Sequence, residues 1–405
     1  MIHLCCYFQV HQPKRLRKYT YFDIGQNHFY EADDKNKAIL HKVAHKCYLP
    51  ANKLMLKLID RYKGAFKIAY SLTGTFIEQC ESFAPEVLDS FRELADTGCV
   101  EFLNETYYHS LACLFSEEEF KKQVVLHQDL MKEKFGMTSK TFRNTELIYS
   151  NTLAKWIEEM GYHTILAEGA DHILEWRSPN FAYKPSPCKN LKLLLKNYRL
   201  SDDIAFRFSN RGWADFPLTT EKFSRWVHDI KGNGETVNLF MDYETFGEHQ
   251  WAETGIFSFM ENLPEAILSD NEFCFSTPAE VSASLTPIHE LDMPHWVSWA
   301  DLERDLTAWK GNALQDDSLQ AIFQLEKKVM QTEDPGIIGT WRSLQTSDHF
   351  YYMCTKWFED GDVHKYFNPY NNPYEAYVNY QNIISDFKEN LEVVRQGEKV
   401  LVEIN

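Results

Sequence analysis

Thr141-Phe142-Arg143-Asn144-Thr145-Glu146-Leu147-Ile148-Tyr149-Ser150 decides how the chain is read. An apolar lead-in meets a polar step at Arg143, Asn144 and Glu146, and Ser150 then opens a helix predicted over 151–160. The pattern is a strand that delivers a carboxylate at its C-terminal tip, where α/β barrels carry their chemistry. Taken alone, a strand-end glutamate beside Arg143 serves equally well as a structural ion pair. A second stretch, Val237-Asn238-Leu239-Phe240-Met241-Asp242-Tyr243-Glu244-Thr245-Phe246-Gly247, has the same design and changes the balance. It too is an apolar strand that ends in carboxylates. Two strand-end acids are what glycoside hydrolysis uses, one as nucleophile or base and the other as acid.

Outward from these two stretches, strands are predicted at 2–10, 65–72, 99–104, 139–145, 163–168, 191–198 and 236–242. Helices are predicted between them at 34–47, 50–62, 85–96, 117–135, 151–160 and 220–231. Pro50 and Pro85 suit first helical turns, and Ser116-Glu117-Glu118-Glu119 has the form of a capping box. Residues 170–190, with Pro179, Pro185 and Pro187, read as loop. Strands alternating with helices imply parallel pairing with crossover helices. The expected fold class is therefore α/β: an incomplete seven-stranded parallel (β/α) barrel over 1–290, followed by a C-terminal helical region over 291–405. In that region helices are expected at 299–311 and 316–331, then a polar-aromatic segment at 341–380 and a terminal helix.

The 405 residues suffice for a barrel with an accessory region. A formal net charge of −17 argues against nucleic acid as a partner, because phosphate neutralisation needs clustered Lys and Arg. Aromatic residues make up 15% of the chain and suit sugar stacking, although core packing is the commoner use of any one ring. No apolar run approaches the ~18 residues of a membrane span, and the first residues lack the features of a signal peptide. The nine cysteines are scattered without metal spacing, and Cys5 and Cys6 point to opposite faces of the first strand. A reduced, cytoplasmic protein is expected. The sequence carries no signal for an oligomeric state.

Candidate site residues gather at the strand C-termini: His11 and Gln12, Glu78, Glu105 and His109, Glu146, Asp242 and Glu244. In a barrel these ends surround one mouth, so residues far apart in sequence converge. Glu146 is placed to attack an anomeric carbon and Asp242 to protonate the leaving oxygen. Arg143 is expected to keep the nucleophile ionised, and an ionised neighbour to raise the pKa of the acid. His127 shares a helix face with Phe120, Val124 and Met131, and a packing role fits it better than a chemical one.

Five short regions of the chain, in order, resemble those that mark glycoside hydrolase family 57, most of all its α-amylase branch. His11-Gln12-Pro13 is similar to the first, and Gly74-Thr75-Phe76-Ile77-Glu78-Gln79 to the second. Phe142 to Tyr149 resembles the third, and Asp242 to Gly247 the fourth. Trp296 to Asp305 resembles the fifth. Gln345 to Tyr352, Asp360-Gly361-Asp362 and Asn368-Pro369-Tyr370 are also similar to the amylase branch. The resemblance implies an α-glucan substrate, retention of configuration by double displacement, and no cofactor or essential metal. It assigns Glu146 as nucleophile and Asp242 as acid/base, with His11, Glu78, Arg143, Glu244, Trp251, Trp299 and Asp348 expected to bind substrate. Arg143 departs from the pattern of some members, notably glucanotransferases, which carry Trp three residues before the nucleophile.

The same chemistry serves a 4-α-glucanotransferase or a branching enzyme when a sugar intercepts the glycosyl-enzyme in place of water. Two readings from other classes compete with it. A metal-dependent carbohydrate hydrolase or deacetylase needs a spaced His pair with an Asp, which this sequence lacks. A glucan-binding protein without turnover would keep the cleft without needing both acids.

Overall fold

The computed structural model describes residues 1–356 and 368–404, with side chains described to residue 393. Its strands, in chain order, are β1 (Ile2–Val10), β2 (Ile68–Leu72), β3 (Val100–Phe102), β4 (Thr141–Arg143), β5 (Thr164–Glu168), β6 (Tyr183–Pro185), β7 (Lys192–Lys196), β8 (Thr236–Asp242), β9 (Phe273–Phe275) and β10 (His289–Leu291). β1 is almost wholly buried and organises one sheet. It pairs in parallel with β8 from His3 to Gln9. Its remaining pairings are divided between β9 at Ile2–Leu4 and β2 at Tyr7–Val10. The sheet order is β3-β2-β1-β8, and a second sheet runs β10-β6-β7-β5-β4.

The seven predicted strands are β1 to β5, β7 and β8, and they run in that order around a ring. Continuous ladders do not close it. β3 meets β4 through a single parallel bridge, Asn104 to Phe142, in which the Arg143 amide donates to the Asn104 carbonyl at 2.9 Å. β7 meets β8 through a side chain: Asn238 Nδ2 donates to the Leu195 carbonyl at 2.9 Å, and the Asn197 amide donates to the Asn238 carbonyl at 2.9 Å. A fully buried asparagine in an otherwise apolar strand is thus explained, because it satisfies a backbone acceptor that no ladder reaches.

Alternation along the strands separates two environments. Cys5, Tyr7, Leu103, Leu166, Leu194 and Phe240 fill the barrel interior, with Trp299 packed against them. Cys6 and Phe8 instead face the outer helices, including Leu49–Tyr62, Pro85–Asp96 and Ile256–Leu268. The C-terminal helices Ala313–Phe323, Pro335–Ser343 and Pro373–Ile404 share a core with β4, β5 and β7, through Trp341, Tyr380, Ile383, Phe142, Ile165 and Leu193. The helical region is packed on one side of the barrel. Among the described residues no helix is long and apolar enough to cross a membrane.

Several local expectations need correction. Residues 299–311 are turns, with Asp301 and Arg304 at φ 53°. The charge spacing there mimics a helix, but Arg304 donates to the Trp299 carbonyl and Asp305 accepts from the Thr307 amide at 2.8 Å. The strand expected at 191–198 stops at Lys196 because Asn197 caps the helix Tyr198–Ala205, accepting from the Leu200 amide at 3.1 Å. Residues 170–190 carry a short helix, Asp171–Leu174, and β6. Helices Gly74–Phe83 and Ile256–Leu268, the second with Pro264 inside it, add to the expected elements. Asp360-Gly361-Asp362 lies outside the described residues.

Gly247 fixes the turn that follows β8. Its φ is 111°, and a Cβ there would lie 1.9 Å from the Lys46 carbonyl oxygen. Gly247→Ala should therefore cost more than the ~1 kcal/mol of an ordinary glycine replacement, since neither the dihedral nor the backbone of Lys46 can give easily. Chemical denaturation of the purified variant measures this, and an unchanged midpoint would refute the assignment of strain.

Candidate active site

β4 ends at Arg143, and one short turn, Thr145–Leu147, carries the chain away from the strand. Glu146 and Leu147 both adopt left-handed backbone, at φ 56° and 51°. Residues with a Cβ rarely do so, and each such residue costs ~1–3 kcal/mol unless its surroundings hold it. Here the Trp299 amide donates to the Glu146 carbonyl at 3.2 Å, and Asn144 Nδ2 donates to the Ile148 carbonyl at 3.0 Å. The turn sets the Glu146 carboxylate, only 6% of the residue being exposed, into the wall of a cavity at the strand ends.

Three donors converge on that carboxylate. Trp299 Nε1 donates to Oε2 at 2.8 Å, Ser347 Oγ donates to Oε1 at 3.2 Å, and His109 Nε2 lies 3.3 Å from Oε1. The other ring nitrogen of His109 lies 3.1 Å from Glu105 Oε2, and Gln9 Nε2 donates to Glu105 Oε1 at 3.1 Å. Burial by itself would raise the Glu105 carboxyl, but the hydrogen bond and charge of His109, with Arg143, bring it down to about 2. Burial would lower His109, yet Glu105 and Glu146 outweigh it and raise the imidazole to about 9. His11 stacks on His109 with ring centroids 4.0 Å apart. Its nitrogens meet Asp348 Oδ2 and Thr73 Oγ1, each at 2.9 Å, and burial with the neighbouring charge of His109 depresses its pKa.

Asp242 closes β8, and Glu244 follows in a tight turn, Tyr243–Thr245. Both line the same cavity as Glu146, together with Gln9, His11, His109, His249, Trp299, Asp348 and Tyr352. This cavity encloses about 660 Å³. A second lobe of about 650 Å³ shares Asp242, His249 and Trp299 with it and continues past Lys196, Phe206, Met241 and Asp301. Glu244 accepts a hydrogen bond from the Tyr48 hydroxyl, and burial, with the adjacent Asp242 charge, pushes its carboxyl up to about 8.

The structure thus brings His11, Glu146, Asp242, Glu244, Trp299 and Asp348 around one cavity. Arg143 is fully buried behind it, its guanidinium 4.8 Å above the Trp299 ring and 3.8 Å from Glu105. Lys196 Nζ also lies over that indole, at 5.5 Å. Glu78 sits away from the cavity lining, held by Tyr107 at 2.7 Å and Lys14 at 2.8 Å. Trp251 is half exposed under Lys46. Sequence reasoning named Glu105 and His109 as strand-end residues without a role, and missed Gln9, Ser347, Lys196 and His249. Gln9 had a readable signal, since it follows Cys5 and Tyr7 on the inward face of β1. Ser347 lay within the Gln345 to Tyr352 stretch but beside the more conspicuous Asp348, and Lys196 had no signal, because its relation to Trp299 exists only in the fold. Among the described residues no group of three or more His, Cys, Asp or Glu is arranged to hold a metal ion.

A family model described as glycosyl hydrolase family 57 matches residues 5–294. A Methanocaldococcus jannaschii protein named "Putative alpha-amylase" is 44% identical over 94% of this chain and 83% of its own length. Among solved structures, a 4-alpha-glucanotransferase from Thermococcus litoralis superposes with a TM-score of 0.70 at 14% identity, covering 95% of this chain. This chain spans only 59% of that protein. A branching enzyme from Thermococcus kodakaraensis gives a TM-score of 0.65 at 13% identity, over 87% of this chain and 86% of its own. At those identities the two structures speak for the fold alone.

Glu244 yields a pH prediction. The unfolded chain releases this proton near 4.5 and the folded chain keeps it to about 8, so between these values the folded state binds more protons. Stability then falls as pH rises across that window. Glu244→Gln, a neutral isostere that still accepts from Tyr48, should flatten the decline in melting temperature between pH 5 and 8. An identical slope in both proteins would show that Glu244 is ionised at neutral pH.

Proposed function

The chain belongs to glycosyl hydrolase family 57, and from that premise we propose that it is a retaining α-1,4-glucan hydrolase, an α-amylase acting on starch, glycogen or maltooligosaccharides. The observation that carries the reading is the presence of Glu146 and Asp242 in the wall of one cavity, delivered by β4 and β8. Glu146 attacks the anomeric carbon while Asp242 gives its proton to the departing glycosidic oxygen, forming a glycosyl ester and a free chain end. Asp242 then takes a proton from water, whose oxygen displaces Glu146 and restores both acids. The donors on Glu146 keep it ionised for the first step and stabilise it as leaving group in the second.

His11, Asp348 and Glu244 line the space beside the reacting carbon and offer polar groups to sugar hydroxyls. The expected division of the chain fits the reading, since β4 and β8 carry the two acids while Trp299, Ser347 and Asp348 come from the region after residue 290. A reducing compartment such as the cytoplasm is favoured by nine free cysteines, all but Cys274 buried. A transferase or branching activity is the second reading. It is favoured by the second lobe beside Asp242, which offers room for an acceptor sugar. Product analysis on amylose separates the readings, because reducing ends accumulate only under hydrolysis.

The two acids separate by kinetics. Glu146→Gln should lose at least ~10²-fold in kcat on all glucans, including an aryl α-glucoside with a good leaving group, because no ester forms. Asp242→Asn should still be glycosylated by the aryl glucoside and show a burst of aryl alcohol before a slow steady state. Azide should relieve that slow step and give a product of retained configuration. A burst in Glu146→Gln and none in Asp242→Asn would reverse the roles. Losses below ~10-fold in both would remove these residues from the machinery.

A further inference from the structure

Behind Glu146 lies a chain of buried groups that the two-acid mechanism does not use. Glu105 is completely buried and is not part of the cavity lining, so it has no route to substrate. Its carboxylate is held from three directions. Gln9 Nε2 donates to Oε1 at 3.1 Å, His109 Nδ1 lies 3.1 Å from Oε2, and the Arg143 guanidinium lies 3.8 Å away. An isolated carboxylate would not remain charged at such depth without compensation. A structural pair with Arg143 alone would explain part of this arrangement. It would not explain why Glu105 gives its better contact to a histidine whose other nitrogen faces Glu146.

His109 has a carboxylate oxygen on each side, Glu105 at Nδ1 and Glu146 at Nε2. Carboxylates accept, so two ionised neighbours leave both ring nitrogens to donate, and the ring must then be an imidazolium. The stacked His11 meets one carboxylate and one hydroxyl instead. Two like charges stacked at 4.0 Å are unfavourable, and the better-compensated ring takes the proton. The ring is held firmly in place. The His109 carbonyl accepts from the Ser347 amide at 2.9 Å, its amide donates to the Thr106 carbonyl at 3.1 Å, and its backbone is left-handed at φ 50°.

We infer that Glu105 is a positioning residue, which keeps His109 in its charged form so that a fixed cation donates to Oε1 of Glu146 throughout the catalytic cycle. The inference rests on the proposed role of Glu146 as nucleophile. No proton leaves His109 in either step. When the glycosyl ester forms, Glu146 loses its charge, and when the ester breaks, the charge returns beside a cation already in place. The second step therefore gains most from the arrangement.

The other ionisable groups facing this assembly come from every element packed around it. They are Arg143 from β4, His11 after β1, Asp348 from the helix Ser347–Tyr351, Asp242 and Glu244 at the end of β8, His249 and Arg15 across the cavity, and His127 from the helix Glu117–Phe135. His127 accepts from the Glu105 amide and donates to the Leu72 carbonyl at 2.8 Å, so it is neutral and adds no charge. The two carboxylates in contact dominate, in keeping with the His109 pKa near 9.

The test follows the imidazole itself by nitrogen-15 NMR on the full chain, with the His109 signal identified by its loss in His109→Asn. Both nitrogens should remain protonated through neutral pH and titrate near 9. In Glu105→Gln the titration should fall by at least ~1 unit, and the alkaline limb of kcat/KM on a maltooligosaccharide should move down with it. Glu105→Asp should recover part of both shifts. A neutral His109 at pH 7 in the unsubstituted protein overturns the inference even if Glu105→Gln fails to fold, and so does an unmoved titration in a folded Glu105→Gln. If the chain turns over no glucan, the proposed function fails while the NMR titration still decides the charge on His109.

Discussion

A carboxylate that is to act as a nucleophile inside a mostly buried barrel mouth must receive from the protein the hydrogen bonds that water would have supplied. Glu146 receives them from Trp299, Ser347 and His109, three segments that lie far apart in sequence. Much of the architecture answers to this one requirement. The left-handed turn at Glu146 and Leu147 aims the side chain, and the Trp299 amide pins the turn that creates it. Trp299 is itself held by Arg304 at its carbonyl and covered by the cations of Arg143 and Lys196. Its indole is thereby fixed as a hydrogen-bond donor to Glu146.

The helical region after residue 290 is part of the same answer. It shares a core with β4, β5 and β7, sends Asp348 to the cavity and sends Ser347 to the Glu146 carboxylate. The barrel does not close through continuous ladders. At the β7–β8 junction the buried Asn238 amide takes the place of a strand pairing, on the same strand that delivers Asp242. Strand ends that are joined by single contacts leave room at the mouth for the side chains that line the cavity.

Much of this was legible in the sequence, for reasons that can be named. Strands such as β1, β5 and β7 carry apolar runs because parallel strands are buried on both faces, and such runs stand out between amphipathic helices. Asp242 was visible as the polar end of β8, and Glu146 as a carboxylate just past the polar step that closes β4. What was not legible depends on pairing across long distances. The turns at 299–311 read as helix because charged residues at helical spacing look alike whether they face solvent or bind a carbonyl, as Arg304 does. Arg143 read as a partner of Glu146 because it is close in sequence, yet its guanidinium lies over Trp299 and beside Glu105. Glu78 carried the same strand-end signature as the cavity residues but is turned toward Tyr107 and Lys14.

The central claim is that the Glu146 carboxylate becomes covalently joined to the sugar, and it can be tested without a steady-state assay. The protein would be incubated with a fluorinated α-maltosyl fluoride, which carries a good leaving group and slows breakdown of the glycosyl-enzyme, then digested and mapped by mass spectrometry. The account predicts one glycosyl label, on the peptide that contains Glu146, and its absence in Glu146→Gln. A label on Asp242, or on any other carboxylate, would contradict it.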